Sequence, residues 1–380
     1  TDTACGGNAL RLRERSPHPP QEDTGSDEKL IELTFQAGPK PGFEQAEGIS
    51  LFTVLGDDET SVNWKYGDKV AIFDGTAVRE FTATPDADNP TTAKLTGKAL
   101  SADTYTAFYP YSESLSIIGD SITFSIPETQ TATAGSFENG INPSLAQTTA
   151  DSMTLIFSNL ASLVKFTVGD DFDGISELTL SSNGSGTLSG SMTYAIEDDS
   201  LTAQEGASSV TLEGSFENSK TYYFLVSPGT LEKGLSISYT TADGKKYAKY
   251  SSDAVAFEAG TITDLETLSK SNLVEVLTNT AFIAKVNEKV LDIGWTVNND
   301  GTVSLIDDNN AAMAKVTELN LSLVGLSDLS GIEYFTGLTS LNCLGNKLTT
   351  LDVSGLMKLT ELDCSSNRIS ELDVSSLTNL

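Results

Sequence analysis

The sequence has a single histidine, His18, and three cysteines, Cys5, Cys343 and Cys364, in 380 residues. One imidazole cannot build a His-rich metal centre, nor a Ser-His-Asp triad unless that one residue is placed for it. Cations are scarce too: 23 Lys and Arg face 53 Asp and Glu, a net charge of −30. Such a chain repels phosphate backbones, so no nucleic acid is expected as a partner. No run of 18 apolar residues occurs, so nothing is expected to span a membrane; any membrane contact would come through a lipid anchor. There is no G-x-S-x-G, no H-E-x-x-H, and no Lys-Ser/Thr after a G-x-x-x-x-G. Pairs such as Asp198-Asp199 or Asp307-Asp308 mean nothing alone in so acidic a chain. The expectation is no enzyme, no cofactor and no metal.

What is present is polar and rich in turns: 31 Gly and 11 Pro, abundant Ser and Thr, and 38% hydrophobic residues. That composition suits an extracellular β-rich protein, and the length allows two to four domains. Residues 1–29 read as a flexible tether, since Pro17, Pro19 and Pro20 lie in a polar, charged tract too poor in apolar groups to fold alone. Arg11, Arg13 and Arg15, just before the prolines, are candidates for trypsin-like processing; as simple parts of the tether they need no such role. Cys5, with Ala4 before it and Gly6 after it, is the lipidation candidate, placed like the +1 cysteine of a bacterial lipoprotein signal. The apolar segment that precedes such a cysteine is absent from the sequence.

The clearest signal is a repeat. Residues 338–358 read LTSLNCLGNKLTTLDVSGLMK and 359–379 read LTELDCSSNRISELDVSSLTN, in register 21 residues apart, with a looser copy at 316–337. L-x-x-L-x-[LC]-x-x-N-x-L is the leucine-rich repeat template. These units resemble the short repeats of Bacteroidetes surface proteins. Each offers a short strand with inward residues, Leu341 and Cys343, then Leu362 and Cys364, that only stacking can bury. Asn346 and Asn367 are expected to turn the chain and bond the neighbouring backbone. Cys343 and Cys364 then point inward in adjacent rungs as small hydrophobes, although rungs ~4.8 Å apart also allow a disulfide. The outward positions Glu318, Asn320, Ser322, Ser340, Asn342, Leu344, Glu361, Asp363 and Ser365 form a polar, acidic face. Its ligand, if it has one, should be cationic or hydroxyl-rich. The last unit lacks the polar cap that solenoids need, so the natural protein is expected to continue beyond Leu380.

Before the repeats, Leu273, Val276, Leu277, Phe282, Ile283, Val286, Val290 and Ile293 fit helical spacing and predict an N-terminal helical cap. Gly301 with Asn298 and Asp300 resembles a calcium loop, but Thr296 stands where an Asp is needed and Asp307 where a Glu is. It is expected to bind no calcium.

Between 30 and 268 lie short alternating runs split by Gly, Asp and Asn turns, among them LIELTFQA, KVAIFDG, TYTAFYPY, LVKFTVG, TYYFLVSPG and LSISYTTADGKKYAKY. Asp243-Gly244 in the last marks a hairpin. Trp64, Phe108, Tyr109 and Tyr111 are expected as packing residues, the alternative being a glycan platform. The ordered segments VNWKYGDKVAIFDG, TYTAFYPY, ITFSIPETQTA, LIFSNLASLVKFTV, TYYFLVSPG and AFEAGTITDL resemble the fimbrillin family of Bacteroidetes pilus proteins. That resemblance implies two tandem transthyretin-like β-sandwiches; with a seam after the apolar strand LASLVKFTV they fall at 30–169 and 170–269, before the helical cap at 270–315 and the repeats at 316–380. It also implies export to the bacterial outer membrane surface as a lipoprotein, and partnership with other pilus subunits by strand exchange after leader removal. The expected role is a fimbrial tip or accessory component in adhesion; the alternative is a monomeric surface lipoprotein that binds host protein or polysaccharide.

Overall fold

The structure, a computed structural model, describes residues 29–39, 54–55 and 62–380 apart from 114, 173, 242, 243 and 299. Cys5, Arg11, Arg13, Arg15 and His18 lie outside the described residues, as does Asp243. The chain is mainly β.

Seven strands close into a barrel, in spatial order Ile31–Pro39, Thr154–Asn159, Ser144–Thr149, Thr104–Tyr109, Lys69–Phe73, Val78–Pro85 and Ala93–Ala99. The first strand is the closing stave. It runs antiparallel to Ala93–Ala99 from Ile31↔Ala99 to Ala37↔Ala93, and parallel to Thr154–Asn159 from Gln36↔Thr154 to Pro39↔Phe157. Closure removes the unpaired edges that an open sheet would present. Alternation decides which side chains enter: Phe35 and Ala37 are buried while Thr34 and Gln36 are exposed. Phe35 meets Phe81 and Tyr105 edge-on, and Trp64 meets Tyr109 and Phe157 the same way at 5.6 and 5.7 Å. Trp64, Phe108 and Tyr109 are therefore core residues. Gly97 is required here, since a Cβ would sit 2.7 Å from the Phe81 ring.

The second unit places a three-stranded sheet (Thr221–Val226, Ser162–Val168, Ile262–Leu268) over a seven-stranded one that includes Glu177–Ser182, Leu235–Thr240 and Lys246–Ser251. Val164, Phe166, Tyr222 and Phe224 from the first sheet share one core with Leu178, Leu180, Ile237 and Tyr239 from the second. The units do not part at the expected seam of residue 169. Ser162–Val168 pairs with Thr221–Val226 and Ile262–Leu268, and Ser121–Ile126 pairs with Ser189–Ala195. Thr221–Val226 is the party wall: Tyr222 and Phe224 face the second core, while Tyr223 and Leu225 belong to the barrel's. That explains why its sequence is a continuous apolar run. The buried Gln130 ties the wall further, its side-chain amide donating to the Leu225 carbonyl at 2.7 Å and accepting from the Leu225 N–H at 2.9 Å.

The expected cap helix is shorter than its periodicity suggests. Val274–Leu277 is a strand, and the helix, α1, covers only Thr280–Lys289. Two β-branched valines favour extension, and the edge of Lys246–Ser251 supplies a ladder: Val276↔Lys246, Glu275↔Tyr247, Val274↔Ala248. Asn279 then starts α1 by accepting from the Phe282 N–H, and Phe282, Ile283 and Val286 are buried. Val303–Ser304 extends the same sheet beside Val274–Leu277, and a second helix, α2, spans Asp307–Ala314.

Candidate functional site

Beyond α2 each repeat contributes one three-residue strand: Glu318–Asn320, Ser340–Asn342 and Glu361–Asp363. They stack in parallel with Glu318↔Ser340↔Glu361, Leu319↔Leu341↔Leu362 and Asn320↔Asn342↔Asp363 opposite one another. The apolar ranks point inward, Leu319, Leu321, Leu341 and Cys343 all nearly fully buried. Asn346 and Asn367 do what their repeat position suggests. Asn346 donates to the Leu321 and Cys343 carbonyls at 2.7 and 2.9 Å and accepts from the Leu326 N–H at 3.0 Å. Asn367 donates to the Cys343 and Cys364 carbonyls, 2.9 Å each, and accepts from the Leu348 N–H at 3.1 Å.

Cys343 and Cys364 are both free thiols, one buried and one half-buried. Burial, with Cys364 and Asp363 adding to it, pushes the Cys343 thiol up to about 12. It stays protonated and inert at neutral pH, since the thiolate is the reactive form.

The nine outward candidates fall into three columns. Glu318, Ser340 and Glu361 form the first, with Ser340 Oγ donating to Glu361 Oε2 at 3.3 Å. The second column is consumed by local turns. Asn320 Oδ1 accepts from the Ser322 N–H and hydroxyl at 3.0 and 2.7 Å, and Asn342 Oδ1 from the Leu344 N–H at 3.1 Å. Asp363 Oδ1 does the same with Ser365, at 3.1 and 2.6 Å, and the Ser365 hydroxyl and N–H hold its carboxyl below the usual carboxylate range. Asn320, Asn342 and Asp363, with Ser322 and Ser365, thus shape the turn that ends each strand, leaving Glu318, and Glu361 with only the Ser340 hydroxyl on it, as the carboxylates a partner can meet.

Leu344 is half-buried beside this face, and Leu323, whose N–H donates to the Leu344 carbonyl, is 75% exposed. Leu323 adopts a positive φ of 59° and lies over Gly345, where its side chain occupies the space a Cβ would need. Sequence reasoning named Leu344 among the outward positions but missed Leu323. Its signal was the departure of the 316–337 copy from the tighter pattern of the other two. The face can therefore offer a partner acidic groups flanked by an apolar edge.

The calcium-like loop spends its polar groups internally. Asp300 Oδ1 accepts from the Thr302 N–H and hydroxyl, Asp300 Oδ2 from the Tyr250 hydroxyl, and Asn298 Nδ2 bonds Thr302 and Ser304. Asp307 begins α2 instead. The described residues contain no group of three or more His, Cys, Asp and Glu placed to hold a metal ion, and no helix long and apolar enough to cross a membrane.

No known family model matches the chain, and no curated protein matches it. Among solved structures, a candidate cell adhesion protein from Bacteroides uniformis is 17% identical across 64% of this chain and 95% of its own, with a TM-score of 0.41. The tip fimbrial protein Mfa3 from Porphyromonas gingivalis, truncated at its C-terminus, is 9% identical across 65% of this chain and 98% of its own, with a TM-score of 0.29. The functional domain of InlJ from Listeria monocytogenes, described as including a cysteine ladder, is 33% identical across 28% of this chain and 22% of its own, with a TM-score of 0.22.

Proposed function

We propose that the chain is a non-catalytic cell-surface adhesion protein of the fimbrillin type, a tip or accessory component of a pilus, exported as a lipoprotein through Cys5. In this reading two transthyretin-like β-units carry a leucine-rich repeat solenoid whose acidic face, with Glu318, Glu361 and the Leu323–Leu344 rim, engages a host protein or glycan. The observation that supports it is the ladder between Lys246–Ser251 and Val274–Leu277. The segment after the second β-unit, which a stalk subunit of that family would lend to its neighbour, is here bonded into its own body and then leads into the stack.

The alternative, a monomeric surface binder, draws support from the barrel. Ile31–Pro39 already fills the ring, and Arg11, Arg13 and Arg15 all precede it, so cleavage at those residues leaves the stave on the chain. One experiment separates the two: the protein trimmed after Arg15 is mixed with partner-strand peptides and followed by size-exclusion chromatography with light scattering. Peptide capture or assembly supports the pilus reading; a monomer that refuses every peptide leaves the surface binder. Recognition by the stack is tested on an array of basic matrix proteins, where Glu318→Lys with Glu361→Lys should abolish capture. An unchanged array reduces the stack to a scaffold.

A further inference from the structure

A polar depression of about 700 Å³ lies away from the stack's outward face, in the second β-unit, where the loop 182–186, the turn 230–233 and Asp300 of the cap meet. Its volume falls in the range of small-molecule sites, and the residues that line it are polar or glycine, without the aromatic and aliphatic side chains usual in such sites. The loop is held rigidly. Asn183 donates from its side chain to the Leu235 and Ser251 carbonyls at 3.0 and 2.8 Å, and from its N–H to the Gly234 carbonyl at 3.1 Å. Gly186 is pressed against Leu231, which leaves no room for a Cβ, and the Lys233 stem crosses Gly184 at 3.4 Å from where one would be. On the opposite wall Asp300 is fixed by Thr302 and Tyr250.

The rim presents hydroxyls from Ser185, Ser208 and Thr230, an ammonium from Lys233 and carboxylates from Glu232 and Asp300. Lys233 and Glu232 make no hydrogen bond or ion pair with other described residues, so both face solvent unspent. One cation against two carboxylates gives the lining a net charge of −1, which disfavours phosphates and acidic sugars. Hydroxyls that both donate and accept, beside charged groups that strengthen hydrogen bonds, match the vicinal hydroxyls of a sugar.

We propose that this depression binds a short neutral oligosaccharide, independently of whatever the repeat face engages. The test is calorimetric titration of the full chain with maltotriose, cellotriose, mannotriose and lacto-N-tetraose, and with 3′-sialyllactose as the acidic counterpart. At least one neutral sugar should bind with a Kd on the order of 1 mM or tighter. Lys233→Ala should weaken it about tenfold, the worth of a hydrogen bond to a charged group. Thr230→Trp, which fills an exposed rim, should abolish it, while the distant Lys98→Ala should leave it unchanged. Failure of all four neutral sugars, a tighter grip on the sialylated one, or binding indifferent to both Lys233→Ala and Thr230→Trp overturns the proposal.

Discussion

Truncating one asparagine of the stack should cost far more than truncating its twin 21 residues on. Asn346 is 7% exposed. Replacing it by alanine removes three hydrogen bonds, but the Cys343 carbonyl keeps the bond from Asn367. Two buried backbone groups are then orphaned, the Leu321 carbonyl and the Leu326 N–H. At about 1–3 kcal/mol each, the expected loss is about 4 kcal/mol. Asn367→Ala likewise orphans two groups, the Cys364 carbonyl and the Leu348 N–H, but this turn is half open to water. Water can replace the lost partners there, so the loss should be about 1–2 kcal/mol. The two tryptophans make the measurement clean. Trp295 stacks edge-on with Phe335 inside the core that the repeats share, while Trp64 lies in the barrel. In a Trp64→Phe background, a urea titration followed by fluorescence therefore reports the C-terminal core alone, as a chain with several cores requires. Equal losses in the two variants, or a loss below about 1 kcal/mol for Asn346→Ala, would refute the accounting.

Three further outcomes follow from the geometry. Asp74, buried in the barrel, accepts from the Thr76 N–H and hydroxyl, Ala77 N–H, Leu100 N–H and Arg79 Nε. Burial opposes its charge, but these donors, Thr76 foremost, outweigh burial and hold the carboxyl well below the usual range. A depressed folded pKa means stability that is full above the unfolded value near ~3.9 and lost as the pH falls toward the folded one. Asp74→Asn should lower the barrel's melting temperature at pH 7 and flatten its acid limb; an unaltered acid limb would count against the assignment. Gly97→Ala should destabilise the barrel by about 1–3 kcal/mol through overpacking against Phe81, read from Trp64 fluorescence in denaturant. In native protein at pH 8, iodoacetamide should label Cys364 and spare Cys343, as peptide mass spectrometry would reveal; fast labelling of Cys343 would contradict its burial.

The stack was legible because a 21-residue period repeats both its inward leucines and its turning asparagines. The individual strands were legible through alternation. Barrel closure was not, because it joins Gln36 to Thr154 and Ile31 to Ala99, pairings that no local window contains. Val274–Leu277 misled for a different reason: Leu273, Val276 and Leu277 fit a helix, yet an open edge at Lys246–Ser251 competed for the same residues and won. On the outward face the three strands stack in the register of the 21-residue period, while Asn320-x-Ser322 and Asp363-x-Ser365 carry the i, i+2 spacing of side-chain turns, a cue to a structural role.

The ladder at Val274–Leu277 also sets how the molecule carries load. Only residues 269–273, with the tight turn Lys270–Asn272 at their centre, separate the last strand of the small sheet from this one, so the join has little slack. Tension on the stack enters the body along the backbone and, in parallel, through the pairs Lys246↔Val276 and Ala248↔Val274, with Glu275 braced by Lys245 at 3.0 Å and by the Tyr334 hydroxyl at 2.7 Å. A pull must shear or peel that ladder before it can lengthen the chain. The C-terminal unit is thereby tied to the body by side-by-side hydrogen bonds as well as by the chain itself.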